Sequence, residues 1–266
     1  MEKVGNLRMS DALYWHVSGQ GPDLVLVHGW GMNGAVWQQT VSALEADFRV
    51  HVVDLPGYGH SSHCHAQDLE GIAQQLLTEA PKQAIWVGWS LGGLVATHMA
   101  LHHPDYVSKL VTVASSPKFA AAKEPVLWRG IQPKVLTAFT EQLVEDFQTT
   151  IERFMALQAM GSPSARQDVK QLKQAVLSRP LPNPDSLLAG LKMLSDVDLR
   201  EQLPEISVPM LRLYGRLDGL VPIKVAKDLG NALPHTEQYI FTQSSHAPFM
   251  TEADAFCSEL VSFAQK

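Results

Sequence analysis

Three residues far apart in the chain have the right types to perform nucleophilic catalysis together. Ser90 sits in Gly88-Trp89-Ser90-Leu91-Gly92, after the apolar run 85–87 (IWV) and before Leu91, Leu94 and Val95 at helical spacing. A serine flanked by small residues where a strand turns abruptly into a helix takes an unusual backbone angle, and its hydroxyl stands free above the sheet. The first amides of the helix then point toward any negative charge that develops there. A hydroxyl alone is a poor nucleophile and needs a base, itself held by an acid. Asp218 follows the apolar stretch 209–214 (PMLRLY) and His246 follows 238–241 (QYIF). Both fall at the carboxyl ends of expected strands, in the order serine, acid, histidine. Ser90, Asp218 and His246 are the expected catalytic set. The rivals fit less well: His235 precedes its strand, and Asp196 and Asp198 lie among helices. Taken singly, Asp218 is also a turn former before Gly219, and His246 a loop histidine.

Two glycine-rich loops accompany this set. His28-Gly29-Trp30-Gly31 directly follows the apolar run 24–27. The backbone N–H groups of Trp30 and Leu91 are the expected donors to an oxyanion, with the Trp30 indole as a wall of the acyl pocket; the simpler reading is a chain reversal. The loop 53–62 (VDLPGYGHSS) contains Gly57-x-Gly59 but no Lys-Ser or Lys-Thr to make a phosphate-binding loop. His60, His63, Cys64 and His65 could suggest a metal. Adjacent residues rarely converge on one ion, so the stretch is read as an exposed polar loop with no metal.

These residues need a frame. The runs 24–27, 50–53, 85–87 and 110–113 read as buried parallel strands, with helix-like segments around 35–46, 66–79 and 91–103. The stretches 209–214 and 238–241 add two strands, and an amphipathic helix spans about 252–264. Alternating strands and helices predict an α/β protein, a mostly parallel sheet flanked by helices. Residues 118–205 break the alternation: Leu136, Phe139, Leu143 and Phe147, then Ile151, Phe154 and Leu157, recur at helical spacing, with no convincing strand. The expected organisation is a core of 1–117 and 206–266 and an all-helical lid of 118–205 after the strand at 110–113; helices that simply cover the sheet are the plainer alternative.

With 266 residues, the chain can bury a sizeable core. Its net charge of −6 excludes nucleic-acid binding through bulk charge. Only Cys64 and Cys257 are cysteines, and the first fifteen residues lack a leader's apolar core, so a cytoplasmic protein off the membrane is expected. The segment 153–179 is locally basic: Arg153, Arg166, Lys170, Lys173 and Arg179 face one acid, Asp168. Arg166, Lys170 and Lys173 form one helical stripe that could steer an acidic partner. A solvated helix face explains it equally, and Glu141, Glu145, Asp146 and Glu152 nearby weaken the steering.

Over nearly its whole length the sequence resembles the pimeloyl-[acyl-carrier protein] methyl ester esterases of biotin synthesis, within the α/β-hydrolases. The likeness rests on HGWG at 28–31, DLPGYGHS at 54–61, IWVGWSLGGLVA at 85–96, TVASSP at 112–117 and ERFMALQAMG at 152–161. It continues through ARQD at 165–168, RLYGRLDGLVP at 212–222 and SHAPF at 245–249. The resemblance implies the α/β-hydrolase fold and a cytoplasmic, monomeric serine esterase without cofactor. Its implied substrate is a methyl pimeloyl chain held on acyl carrier protein. It also implies that Phe154, Met155, Ala156, Leu157 and Gln158 line a channel under the lid, and that Arg153, Arg166 and Lys170 contact the carrier. Thr149 stands where an arginine is expected. Three other readings share Ser90, Asp218 and His246: a broad short-chain carboxylesterase acting on small esters, a non-catalytic ligand receptor, and a carbon–carbon bond hydrolase. Chemistries that need a carboxylate nucleophile do not fit serine at position 90.

Overall fold

The computed structural model describes residues 12–124 and 126–266; most of the stretch read for a leader lies outside them. Seven strands form one sheet: β1 (Trp15–Ser18), β2 (Asp23–Val27), β3 (Arg49–Val53), β4 (Ala84–Trp89), β5 (Val107–Val113), β6 (Met210–Gly215) and β7 (Glu237–Phe241). Their order is β1-β3-β2-β4-β5-β6-β7, with β1 antiparallel to β3 and every other pair parallel. Among the described residues, ten α-helices accompany them: α1 (Gln38–Leu44), α2 (Leu69–Leu76), α3 (Leu91–His102), α4 (Pro133–Glu145), α5 (Phe147–Ala159), α6 (Ala165–Leu177), α7 (Pro184–Asp196), α8 (Ile223–Ala232), α9 (Pro248–Thr251) and α10 (Ala253–Ala264). Parallel strands covered on both faces are apolar on both, and β4 and β6 are buried along their whole length. That is why the six expected strands appear where the apolar runs stand. The edge strand β1 was not expected: its residues are half-buried or exposed, so it carries no apolar run.

Between β5 and β6 the chain leaves the sheet for α4 to α7. Among the described residues, strand pairing there is limited to two isolated bridges, Ala120 with Ile131 and Ala122 with Trp128. Asp146 caps α5, accepting from the Thr149 amide at 3.1 Å and from its hydroxyl at 2.6 Å. This insertion is fastened to the loops at the carboxyl ends of β2 and β3. The Trp30 indole donates to Leu187 O at 2.8 Å, the Asn33 amide to Ala175 O at 3.1 Å, and the Asn183 backbone to Gly57 O at 2.7 Å.

The strongest tie is ionic. Arg179 Nη1 lies 2.6 Å from Asp54 Oδ1, and the fully buried Asp54 also accepts from the Gly34 and His60 amides at 2.7 and 2.8 Å. The guanidinium stands over the Tyr14 ring, 5.1 Å from its centroid. Arg179 therefore corrects one expectation: it is a structural cation consumed by a buried carboxylate, not part of a surface field. Arg179→Met leaves Asp54 charged and unpaired, and is expected to lower the free energy of unfolding in urea by about 3 kcal/mol. Adding Asp54→Asn to that variant should restore part of the loss.

Candidate active site

Ser90 is the last residue before α3 and has φ 55° and ψ −118°, a left-handed conformation that side chains rarely adopt. Its neighbours impose it. The Ser90 amide donates to Val113 O at 2.9 Å, and the Ser115 hydroxyl donates to Ser90 O at 2.8 Å. Gly88 allows the sharp return, since a Cβ there would overlap the Gly92 carbonyl. The hydroxyl is thereby presented to a histidine from the other half of the sheet.

His246 lies on the loop between β7 and α9. Its Nε2 is 2.9 Å from Ser90 Oγ, and its Nδ1 is 2.7 Å from Asp218 Oδ2. Asp218, on the turn after β6, uses Oδ1 to accept from the Leu220 and Val221 amides at 2.8 and 3.0 Å. That leaves Oδ2 for Nδ1–H. With its proton on Nδ1, the imidazole presents a lone pair at Nε2 to the serine hydroxyl. The imidazole backbone is held from two sides: Trp89 Nε1 donates to His246 O at 2.7 Å, and His246 N donates to Gln158 O on α5 at 3.0 Å. All three residues are buried. The structure thus brings Ser90, Asp218 and His246 into one hydrogen-bonded line.

The turn at 28–31 packs directly on the serine; a Cβ on Gly29 would sit 3.1 Å from Ser90 Cβ. The backbone N–H groups of Trp30 and Leu91 donate to no acceptor among the described residues. His28 sets this turn. Its Nδ1 donates to Gly29 O at 2.9 Å and its Nε2 accepts from Leu55 N at 3.0 Å. Burial lowers its pKa to about 4, so it serves as a neutral brace.

The helix α5 closes over this arrangement. Phe154 packs edge-on against Trp30, with ring centroids 4.7 Å apart. Gln158, one turn later, is buried, and neither its Oε1 nor its Nε2 has a partner among the described residues. Leu157 is half-buried against the core. Met155 and Ala156 correct the expectation of a continuous lining. Met155 is buried beside Ile151, Lys173 and Val176, in a separate small cavity, and Ala156 is exposed. Five consecutive helical residues point around the whole axis and cannot share one face.

The basic segment is also smaller than its count of cations. Lys173 pairs with Glu152 at 2.7 Å. Arg153, Arg166 and Lys170 are exposed and form no salt bridge among the described residues. Asp168 is buried and accepts from Ser162, Ser164 and Thr251 at 2.7, 2.9 and 3.2 Å. In the loop after β3, His60, His63 and His65 are exposed, while Cys64 is buried with its thiol directed at Ala12 O at 3.6 Å. Among the described residues these four form no three-ligand cluster. Sequence reading missed Ser115; a hydroxyl just past the end of β5 is the only local signal for its support of Ser90.

Residues 22–253 match the profile of the alpha/beta hydrolase fold family. A pimeloyl-[acyl-carrier protein] methyl ester esterase from Vibrio atlanticus is 96% identical over 258 residues, covering 97% of this chain and all of that one. Its counterpart from Vibrio vulnificus is 77% identical, with the same coverage of 97% and 100%. The solved esterase from Exiguobacterium antarcticum superposes with a TM-score of 0.84 at 23% identity, covering 96% of each chain, a likeness of fold.

The depressed pKa of His28 has a definite sign in stability. As pH falls, the unfolded chain takes up a proton near 6.5, whereas the folded chain resists until about 4. The contribution is complete above pH 6.5 and is lost progressively toward pH 4. Denaturant titrations across this window should show the His28→Asn variant with a stability slope shallower by one proton, about 1.4 kcal/mol per pH unit.

Proposed function

The chain belongs to the pimeloyl-[acyl-carrier protein] methyl ester esterases of the alpha/beta hydrolase fold, and from that premise we propose that it hydrolyses the methyl ester of a pimeloyl chain borne as a thioester on acyl carrier protein. The observation that carries this reading is the unbroken line from Asp218 through His246 to Ser90 Oγ. His246 Nε2 takes the serine proton as Ser90 Oγ attacks the ester carbonyl, and Asp218 holds the imidazolium that forms. The Trp30 and Leu91 amides receive the oxyanion; removing one such donor typically costs about 3–4 kcal/mol of transition-state stabilisation. Collapse of the tetrahedral intermediate expels methoxide, which His246 protonates to methanol. Water, deprotonated by the same nitrogen, then attacks the acyl-serine; the proton returns to Ser90 as the carboxylic acid is released, and the acid gives its remaining proton to solvent to become the carboxylate. The new charge disfavours retention between Trp30 and Phe154, so the product leaves.

Residues 118–205 act as the lid. Phe154 and Gln158 meet the acyl chain, with the unpartnered Gln158 amide as its polar contact. Arg153, Arg166 and Lys170 give an otherwise acidic molecule a positive face for an acidic carrier; Thr149, bonded to Asp146, adds no charge to it. The same reading makes the enzyme a cytoplasmic monomer that serves biotin synthesis without a cofactor. Among the described residues no helix is long and apolar enough to cross a membrane.

Ser90→Ala is expected to abolish turnover of both carrier-bound ester and free dimethyl pimelate while leaving the unfolding midpoint unchanged. The double variant Arg166→Glu/Lys170→Glu should lose about tenfold in kcat/KM on the carrier-bound ester at low salt, less at moderate salt, and nothing on the free diester. Equal rates on the two substrates, unmoved by the charge reversal, would make this a general carboxylesterase.

A further inference from the structure

A second group of chemistry-bearing side chains lies at the far end of α3, away from Ser90. Glu70 on α2, His98 on α3 and His103 just past its end each offer a ligand atom, and these atoms lie within 4.8 Å of one another. We propose that Glu70, His98 and His103 form a binding site for a divalent transition-metal ion of the zinc type, coordinated by two imidazole nitrogens, one carboxylate oxygen and a water.

The arrangement is more than a pair of helices joined by a hydrogen bond. His98 Nε2 is 3.0 Å from Glu70 Oε2, which accounts for those two groups. It leaves His103 Nε2, which is buried and has no partner among the described residues. A buried ring nitrogen without a partner is costly unless something outside the protein satisfies it. Glu70 is held from behind, its Oε1 accepting from Gln74 Nε2 at 2.6 Å, as outer partners orient metal-binding carboxylates. Ligand bonds of about 2.0–2.2 Å require the three donor atoms to draw in slightly, and the exposed Glu70 side chain has the freedom to do so. Two imidazoles and one carboxylate suit zinc, nickel or copper, whereas magnesium and calcium demand oxygen ligands. The open Glu70 side gives an ion its path in. A bound ion would join α2 to the carboxyl end of α3, the helix that follows Ser90.

The test is calorimetric titration of Zn2+ into the full chain, free of any histidine tag and stripped with chelator. The wild type should bind one ion at micromolar concentration. Glu70→Gln and His103→Ala should each weaken binding by at least about tenfold. Glu70 is exposed, so its variant keeps the test decisive if the histidine variant folds poorly. His63→Ala/His65→Ala, in the exposed loop, should bind as the wild type, and ester hydrolysis by the Glu70 variant should match it. Absence of binding up to about a hundred micromolar, unchanged binding in Glu70→Gln, or loss of binding in the loop variant would each overturn the proposal.

Discussion

The site depends on a single strained residue. At φ 55° Ser90 occupies backbone space that costs about 1–3 kcal/mol and persists only where the surroundings over-determine it. Here they do: Val113 and Ser115 hold its backbone from β5 and the residues beyond, Gly88 removes the side chain that would block the return, and Gly29 closes in from the neighbouring loop. Strand β4 at the centre of a parallel sheet supplies the rigidity. The strain aims the hydroxyl outward, and His246 and Asp218 come to it from the ends of β7 and β6. Each of the three residues is thus placed by the carboxyl end of a different strand, so relative position is set by sheet register.

Burial gives that line its strength and sets a condition on its use. In a dry site the hydrogen bonds of a charged intermediate are worth more than in water. Ser90 and His246 are at most 1% exposed, so water is kept from the line while α5 covers it. Two contacts fasten that cover: His246 N donates to Gln158 O, and the Ser245 hydroxyl to Met160 O at 2.9 Å. They tie the end of α5 to the histidine loop. The Arg179–Asp54 pair fastens the same insertion separately, to the loop after β3.

How much of this was legible in the sequence follows from the kind of signal each part leaves. The central strands were readable because burial on both faces makes them continuous apolar runs, and Asp218 and His246 could be located as the polar residues just past two of them. The edge strand β1 was not, since half its side chains face solvent. Helices α4 and α5 showed in the spacing of their apolar residues, but which side faced the site did not. Phe154 and Gln158 face inward while Ala156, between them, faces out. Charges were the least legible: Arg179 and Asp168 read alike as surface groups, and only the fold reveals that one is held by Asp54 and the other by three hydroxyls. The Glu70, His98 and His103 group joins two helices and leaves no spacing pattern in one segment, whereas the conspicuous histidines of the loop after β3 are simply exposed.

The central claim is that His246 activates Ser90 through the bond at 2.9 Å, which no other serine among the described residues makes to a histidine. Labelling with a fluorophosphonate, which phosphonylates only an activated serine, followed by peptide mass mapping, tests it most directly. The account predicts one adduct per chain, on the peptide carrying Ser90, formed rapidly in the wild type and at a rate at least about a hundredfold lower in His246→Gln. An adduct on another residue, or equal labelling rates in the two proteins, would contradict it.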